Sequence, residues 1–349
     1  MNDINNSNIS RLESIIGKSS SALITAHMRP DGDAVGSCTA LYHIFRHFGK
    51  RAVIVLPNRT PDFLSFLSST VECGDLLSFE DNREEATKAI NCSDLIFSLD
   101  YNAFHRTGEM EPLLSGSKAT KVLIDHHLNP SREFYDLSFS ETEVSSTAEY
   151  LFHILMSMDE FGADASKLPE ITAAALMTGM TTDTNNFANS VFPSTLRMAS
   201  SLLEAGTDRD SIISHLYQEY REERIRLLGE LLSEKMTITD CGVAYIVLDK
   251  ETMNKYNLQE GETEGFVNIP LSIGKVRMSC LFKEDPDRIR VSVRSKKGIS
   301  ANLCARQYFH GGGHEMAAGG RLDIPDDVKS ISEVAEYAKR VTTEFLEGK

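Results

Sequence analysis

The chain has 349 residues, beyond the usual length of a single domain, about 100–200 residues, so two domains are expected. A hydrophobic share of 41% with 25% charged residues excludes a disordered or fibrous chain, and a net charge of -15 excludes a broad basic surface for long or duplex nucleic acid. No apolar run approaches the roughly 20 residues that span a bilayer, and the first residues lack a secretory pattern, so a cytoplasmic protein with no membrane role is expected.

In chain order, "SALITA" leads into the helix-like "AVGSCTALYHIFRHFGK", then come "RAVIVL", "NREEATKAIN", "DLIFSLD" and "KVLIDHH". Strands alternating with helices predict an α/β domain, a parallel sheet with helices on both faces. From Ser145 the pattern is helical, through "SSTAEYLFHILMSM" and "EITAAALMTGMTTDT" to the charged run "LYQEYREERIRLLGELLSEKM", which reads as a linker helix. Alternating runs follow, "GVAYIVLD", "KVRMSCLFKE" and "RIRVSVRSK", and then "FHGGGHEMAAGG" and a last amphipathic helix, a smaller mixed α/β domain. The expected division is residues 1–200 as a metal-binding catalytic domain, 201–236 as helical linker and 237–349 as substrate-binding domain. The six cysteines form no Cys-x-x-Cys pair and are expected to be buried free thiols.

Three predicted strands end in chemistry-bearing residues. "SALITAH" delivers His27, with Asp31 and Asp33 in the loop beyond; "DLIFSLD" delivers Asp100; "KVLIDHH" delivers Asp125, His126 and His127. Ligands of open parallel sheets bind outside the carboxyl ends of strands, so these loops can converge on one crevice. Asp183, in "LMTGMTTDTNNF", follows a helical pattern where Thr, Asp and Asn break the apolar period and read as a turn.

Taken singly, Asp31-Gly32-Asp33 reads as a polar turn and His126-His127 as a strand end satisfied by backbone. Their recurrence at three strand ends favours a metal site. Two imidazoles and four carboxylates, His27, Asp31, Asp33, Asp100, His126 and Asp183, exceed one tetrahedral zinc site and suit octahedral divalent ions, manganese above all. Two ions roughly 3.5–4 Å apart activate a water for in-line displacement at phosphorus. Asp100 is the expected bridging carboxylate, and Asp125 the residue that orients a neighbouring imidazole. His43 and His47, four apart on a helix, read as one exposed face instead.

In the second domain Gly311, Gly312 and Gly313 precede an Ala-rich stretch that reads as a helix start, whose amide groups would cradle a phosphate with His314 as a further donor. "VSVRSKKG" offers Arg294, Ser295 and Lys296 for gripping a phosphate or terminal nucleotide, Arg294 foremost.

These residues resemble the DHH phosphoesterase family, named for the Asp-His-His found here at Asp125 to His127. "HMRPDGDAVGS", the Asp of "SLDYN", "IDHH" and "TTDTNNF" are similar to its four motifs in order, and "GGGHEMAAGG" resembles the signature of the DHH-associated domain. The resemblance implies that His27, Asp31 and Asp100 hold one manganese ion, that Asp33, Asp100, His126 and Asp183 hold the other, with magnesium or cobalt as substitutes, and that His127 faces the scissile phosphate. It further implies a homodimer of the nanoRNase type, cleaving short RNA and removing the 3′-phosphate of 3′-phosphoadenosine 5′-phosphate. Such proteins are also described as exopolyphosphatase-related. His310 stands where that branch often has glycine, and Glu315 where a basic residue is common.

The leading expectation is therefore a manganese-dependent phosphoesterase acting on short oligoribonucleotides or 3′-phosphoadenosine 5′-phosphate. Alternatives are a cyclic di-AMP or linear diadenylate phosphodiesterase, and a polyphosphatase or pyrophosphatase, which the glycine-histidine signature disfavours. A nucleotide-binding module without activity would ordinarily lack a ligand, and none of the six is missing.

Overall fold

A computed structural model describes residues 3–259 and 261–348. They divide into two compact units, Met1–Glu219 and Tyr220–Lys349.

The first unit carries α1 (Asn6–Lys18), β1 (Ser21–Thr25), α2 (Gly32–His47), β2 (Arg51–Leu56), a single turn α3 (Ser65–Ser68), β3 (Leu76–Ser78), α4 (Arg83–Cys92), β4 (Leu95–Leu99), α5 (Glu111–Gly116), β5 (Thr120–Asp125) and β6 (Leu137–Ser140). Four longer helices follow, α6 (Thr147–Met156), α7 (Glu170–Asp183), α8 (Pro193–Glu204) and α9 (Arg209–Tyr217). The six strands form one parallel sheet in the order β3-β2-β1-β4-β5-β6. Side chains alternate across a strand. Ala22, Ile24 and Phe97 therefore pack into a core with α1, α2, α6 and α7, while Leu23, Val53 and Ile96 pack on the other face with Ala86, Ile90 and Leu114 of α4 and α5. Burial on both faces explains why these strands read as unbroken apolar runs.

The second unit holds α10 (Glu222–Glu230), β7 (Met236–Ile238), β8 (Val243–Leu248), α11 (Lys250–Lys255), β9 (Met278–Glu284), β10 (Arg288–Ser295), α12 (Ala301–Tyr308), β11 (Gly312–Gly313), β12 (Ala317–Asp323) and α13 (Val334–Glu347). Its sheet runs β11-β12-β10-β9-β8-β7, with β8 and β9 parallel and the other pairs antiparallel. One face packs on α12 and α13 through Val291, Cys304 and Val341. Ile246 and Leu281 of the other face meet Leu227 of α10.

Three sequence expectations change. The charged run is not one helix, because α9 ends at Tyr217 and α10 starts at Glu222. The glycine run does not open a helix: Gly312 and Gly313 form a short strand paired with Ala318 and Gly319. All six cysteines are free, but only Cys38, Cys280 and Cys304 are buried, and Cys73 and Cys92 are exposed. Among the described residues no helix is long and apolar enough to cross a membrane.

Candidate metal centre

The strand order reverses between β1 and β4: the chain winds outward from β1 to β3, then returns to the other side of β1. A doubly wound sheet opens a crevice at that switch point, beyond the carboxyl ends of the two strands. The residues that follow β1 and β4 are those containing His27 and Asp100. Thr25 pairs in register with Ser98, and Leu99 with Ile124, so Asp100 and Asp125 end their strands side by side.

Asp100 adopts φ 62°, a left-handed conformation that few residues other than glycine, asparagine and aspartate take without strain. Its two oxygens face different partners. Oδ2 lies 3.3 Å from His27 Nε2, which is also 3.8 Å from Asp31 Oδ2. Oδ1 lies 3.5 Å from His126 Nε2, which is 3.9 Å from Asp33 Oδ2 and 3.3 Å from Asp183 Oδ2. The structure thus brings together all six residues in two groups that share Asp100, and in His27-Asp31-Asp100 and Asp33-Asp100-His126 each set of donor atoms lies within 4.8 Å.

Each donor is held by local structure. Asp31 caps α2, its Oδ1 accepting from the amides of Asp33 and Ala34 at 3.0 and 3.1 Å, so that Oδ2 is left to face His27. His27 Nδ1 sits 2.9 Å from the Met28 carbonyl. A carbonyl only accepts, so Nδ1 carries a proton and Nε2 is the ring atom that faces the cluster. Asp33 is buried and takes hydrogen bonds from the amides of Thr147 and Ala148, at 2.7 and 2.8 Å, at the start of α6. Asp183 is the last residue of α7 rather than part of a turn, and Asn185, Asn186 and Phe187 end that helix with positive φ. Helices α2 and α7 approach closely enough that a Cβ on Gly36 would lie 2.6 Å from the Ala175 carbonyl, and one on Gly179 2.8 Å from Asp33 Oδ1.

His127 stands beside this pair of groups. Its Nδ1 is 2.7 Å from Asp125 Oδ1 and 3.8 Å from Asp100 Oδ1. Asp125 is fully buried, and its Oδ2 has no hydrogen-bond partner among the described residues.

The electrostatics call for a cation. Burial and the charges of Asp100 and Asp183 push the Asp33 carboxyl well above its ordinary range. For Asp100 burial works in the same upward direction, but hydrogen bonds from His126 and His27 and the charge of His127 prevail and hold it well below. For His27 burial opposes protonation, yet the hydrogen bond to Asp100 and the charge of Asp31 raise it to about 9. His126, also opposed by burial, is raised to about 10 by Asp183 and Asp100. A buried set of carboxylates that draws protons onto both imidazoles lacks positive charge, and divalent ions supply it. Burial keeps the nearby Cys38 thiol protonated, with Asp100 and Asp33 adding to the upward push. The donor set is thus nitrogen and oxygen only, which fits manganese or magnesium better than a thiolate-seeking metal.

The candidate residues of the second unit behave differently. Ser295 is buried and donates its hydroxyl to the Ile299 carbonyl at 2.6 Å, which closes a turn and leaves it no role as a phosphate donor. Arg294 is half-buried on β10, with Nη1 on its own strand's Val293 carbonyl at 3.0 Å. The Gly311 amide donates to Ala305, that of Gly313 to Asn302 Oδ1, and that of His314 to Ala317. A cradle of free amides at a helix start is therefore not formed; the glycines instead admit close strand contact, since a Cβ on Gly311 would lie 1.9 Å from the Gly319 carbonyl. The rings of His43 and His47 meet Thr70 and Glu160, at 3.0 Å each, away from the cluster.

Sequence reading missed the residues that hold the site from α6. Thr147 Oγ1 donates to Asp100 Oδ1 at 3.0 Å, and Glu149 accepts from Ser145 and Thr195. The Ser146-x-x-Glu149 spacing, a capping-box signature, was the available signal.

The DHH family N-terminal domain matches residues 21–180 and the DHHA1 domain residues 241–340. An exopolyphosphatase-related protein from Bacteroides fragilis, of known crystal structure, is 34% identical with a TM-score of 0.89, covering 98% of this chain and 97% of that one. The bifunctional oligoribonuclease and PAP phosphatase NrnA of Bacillus subtilis is 28% identical over 314 residues, 88% of this chain and 91% of the relative. The cyclic-di-AMP phosphodiesterase GdpP of the same organism is 26% identical over 358 residues, which cover 97% of this chain and 50% of the relative. The fold and these matches define a phosphoric ester hydrolase. The chain belongs to the DHH phosphoesterase family and carries its DHHA1 domain.

Proposed function

We propose that this chain is a manganese-dependent phosphoesterase that hydrolyses short oligoribonucleotides and 3′-phosphoadenosine 5′-phosphate. The observation that carries this reading is the division of the buried cluster about Asp100, whose Oδ2 faces His27 and whose Oδ1 faces His126. His27, Asp31 and Asp100 would hold one divalent ion, and Asp33, Asp100, His126 and Asp183 the second. Bound there, such ions supply a water of lowered pKa and neutralise charge on a phosphoryl group.

The protein's own groups do the rest. His127 donates its Nδ1–H to Asp125 in a hydrogen bond, and in the imidazolium form its Nε2–H would donate to a phosphoryl oxygen. Buried Asp125 fixes that tautomer and stabilises the ring if it takes a proton. The nucleotide substrate class is supported by the oligoribonuclease and PAP phosphatase activities named for the Bacillus subtilis relative, which this chain covers nearly end to end.

The test is a panel assay of the purified protein with manganese and with magnesium. A diribonucleotide and 3′-phosphoadenosine 5′-phosphate should be cleaved, and Asp100→Ala should abolish turnover with the fold retained by circular dichroism. Rapid cleavage of polyphosphate with both nucleotides left intact, or cleavage of cyclic di-AMP alone, would overturn the substrate assignment. Retained turnover in Asp100→Ala would remove the shared carboxylate.

A further inference from the structure

Arg106 lies on the loop after β4, and its side chain is half-buried. Its backbone is fixed from several directions. The Arg106 carbonyl accepts from the Met28 amide at 2.8 Å, which ties the loop to the residue next to His27. Phe104 is anchored in the core, and the buried Thr107 hydroxyl donates to the Phe104 carbonyl at 2.7 Å. Gly108 has φ 58°, and a Cβ there would lie 2.5 Å from Met28 Sδ, so the loop and Met28 are in close contact.

The guanidinium is near enough to the centre for its charge to act on the His27 ring. Among the described residues, however, it makes no hydrogen bond or ion pair, although Asp31 and Asp100 both lie within 3.8 Å of that same ring. An arginine beside a cluster of carboxylates ordinarily pairs with one of them. Here it pairs with neither, and its planar fork of donors is available. A chain with a net charge of -15 repels anions at long range, so an anionic substrate must be met by cations placed locally at the site.

We propose that Arg106 is a substrate-binding residue that grips the phosphate group of the nucleotide on the His27–Asp31 side of the centre, with paired N–H donors on two non-bridging oxygens. The proposal rests on the phosphoesterase reading above and adds to it a phosphate contact from the catalytic unit. Arginine rather than lysine is suited to this role, because only its fork matches two oxygens of one phosphate at once.

The test uses the full-length protein, with Arg106→Gln and Arg106→Lys beside the wild type. Titration calorimetry follows manganese binding first, then binding of inorganic phosphate to the manganese-loaded protein; steady-state kinetics follow cleavage of a diribonucleotide. Arg106→Gln should bind manganese as the wild type does, lose phosphate affinity by about tenfold or more and lose about 10²-fold in kcat/KM. Arg106→Lys should recover only part of either loss. Phosphate affinity unchanged in Arg106→Gln, or a loss of manganese affinity matching the loss of phosphate affinity, overturns the proposal. If the wild type leaves the dinucleotide uncut, the nucleotide reading fails, and the phosphate titration still decides the role of Arg106.

Discussion

Asp125 is fully buried, with one oxygen on His127 and the other without a hydrogen-bond partner among the described residues. A buried carboxylate in that position is costly, and on the proposed function its use is to hold His127 in one tautomer and to stabilise positive charge on the ring. Replacing it by Asn keeps the shape and removes the charge. Asp125→Asn is expected to lower kcat by about 10–100-fold, with KM nearly unchanged and manganese affinity retained. Single-turnover kinetics with a diribonucleotide check this; an unaltered kcat would leave Asp125 a purely structural residue. At this scale the candidate ligands were legible because three strand-like apolar runs end in or beside His27, Asp100 and His126, with Asp31 and Asp33 in the loop after the first and Asp183 where a helical period breaks. Thr147 and Arg106 were not legible. Their roles come from spatial neighbours, Asp100 for one and Met28 for the other, and no period or spacing along the chain marks such contacts.

The start of α6 is the element on which the centre leans, since its first amides hold Asp33. Glu149 holds that start in turn, accepting from the Ser145 amide and hydroxyl at 2.8 and 2.5 Å and from Thr195 of α8 at 2.6 Å. Burial alone would raise its pKa, but hydrogen bonds from His153, Ser145, Ser194 and Thr195 prevail and lower it from 4.5 to about 2. A depressed folded-state value means that the ionised form stabilises the fold above the unfolded value and that this contribution disappears as pH falls through the folded one. The shift corresponds to about 3 kcal/mol. Urea unfolding should therefore show Glu149→Gln less stable than the wild type at pH 7, with the gap closing between pH 5 and pH 2; a gap constant with pH would show that packing, not charge, is lost. Elements were readable where a period exists, as in the doubly buried strands and the amphipathic α13. The glycine run was misread because glycine has no side chain to show a period, and its pairing with Ala318 and Gly319 is set by β12.

For the whole molecule, the decisive quantity is charge. On the proposed function, each nucleotide added to a substrate brings another phosphate toward a protein of net charge -15, and only the candidate metal centre and a few placed cations attract it. Binders that track long strands need an extended basic path and weaken as salt rises, by counterion release. An acidic chain with local contacts behaves in the opposite way beyond its first subsites: extra phosphates are repelled, and salt screens the repulsion over a Debye length of about 10 Å at 0.1 M. The expected result is that kcat/KM is highest for substrates of two to a few nucleotides and falls with length. That fall should be steeper at low ionic strength than at high. Initial rates for RNA oligomers of increasing length, each at two salt concentrations with manganese held saturating, measure both trends. Rates that rise with length, and rise most at low salt, would require a continuous basic track on the protein and would displace the short-substrate assignment in favour of a nuclease acting on long strands.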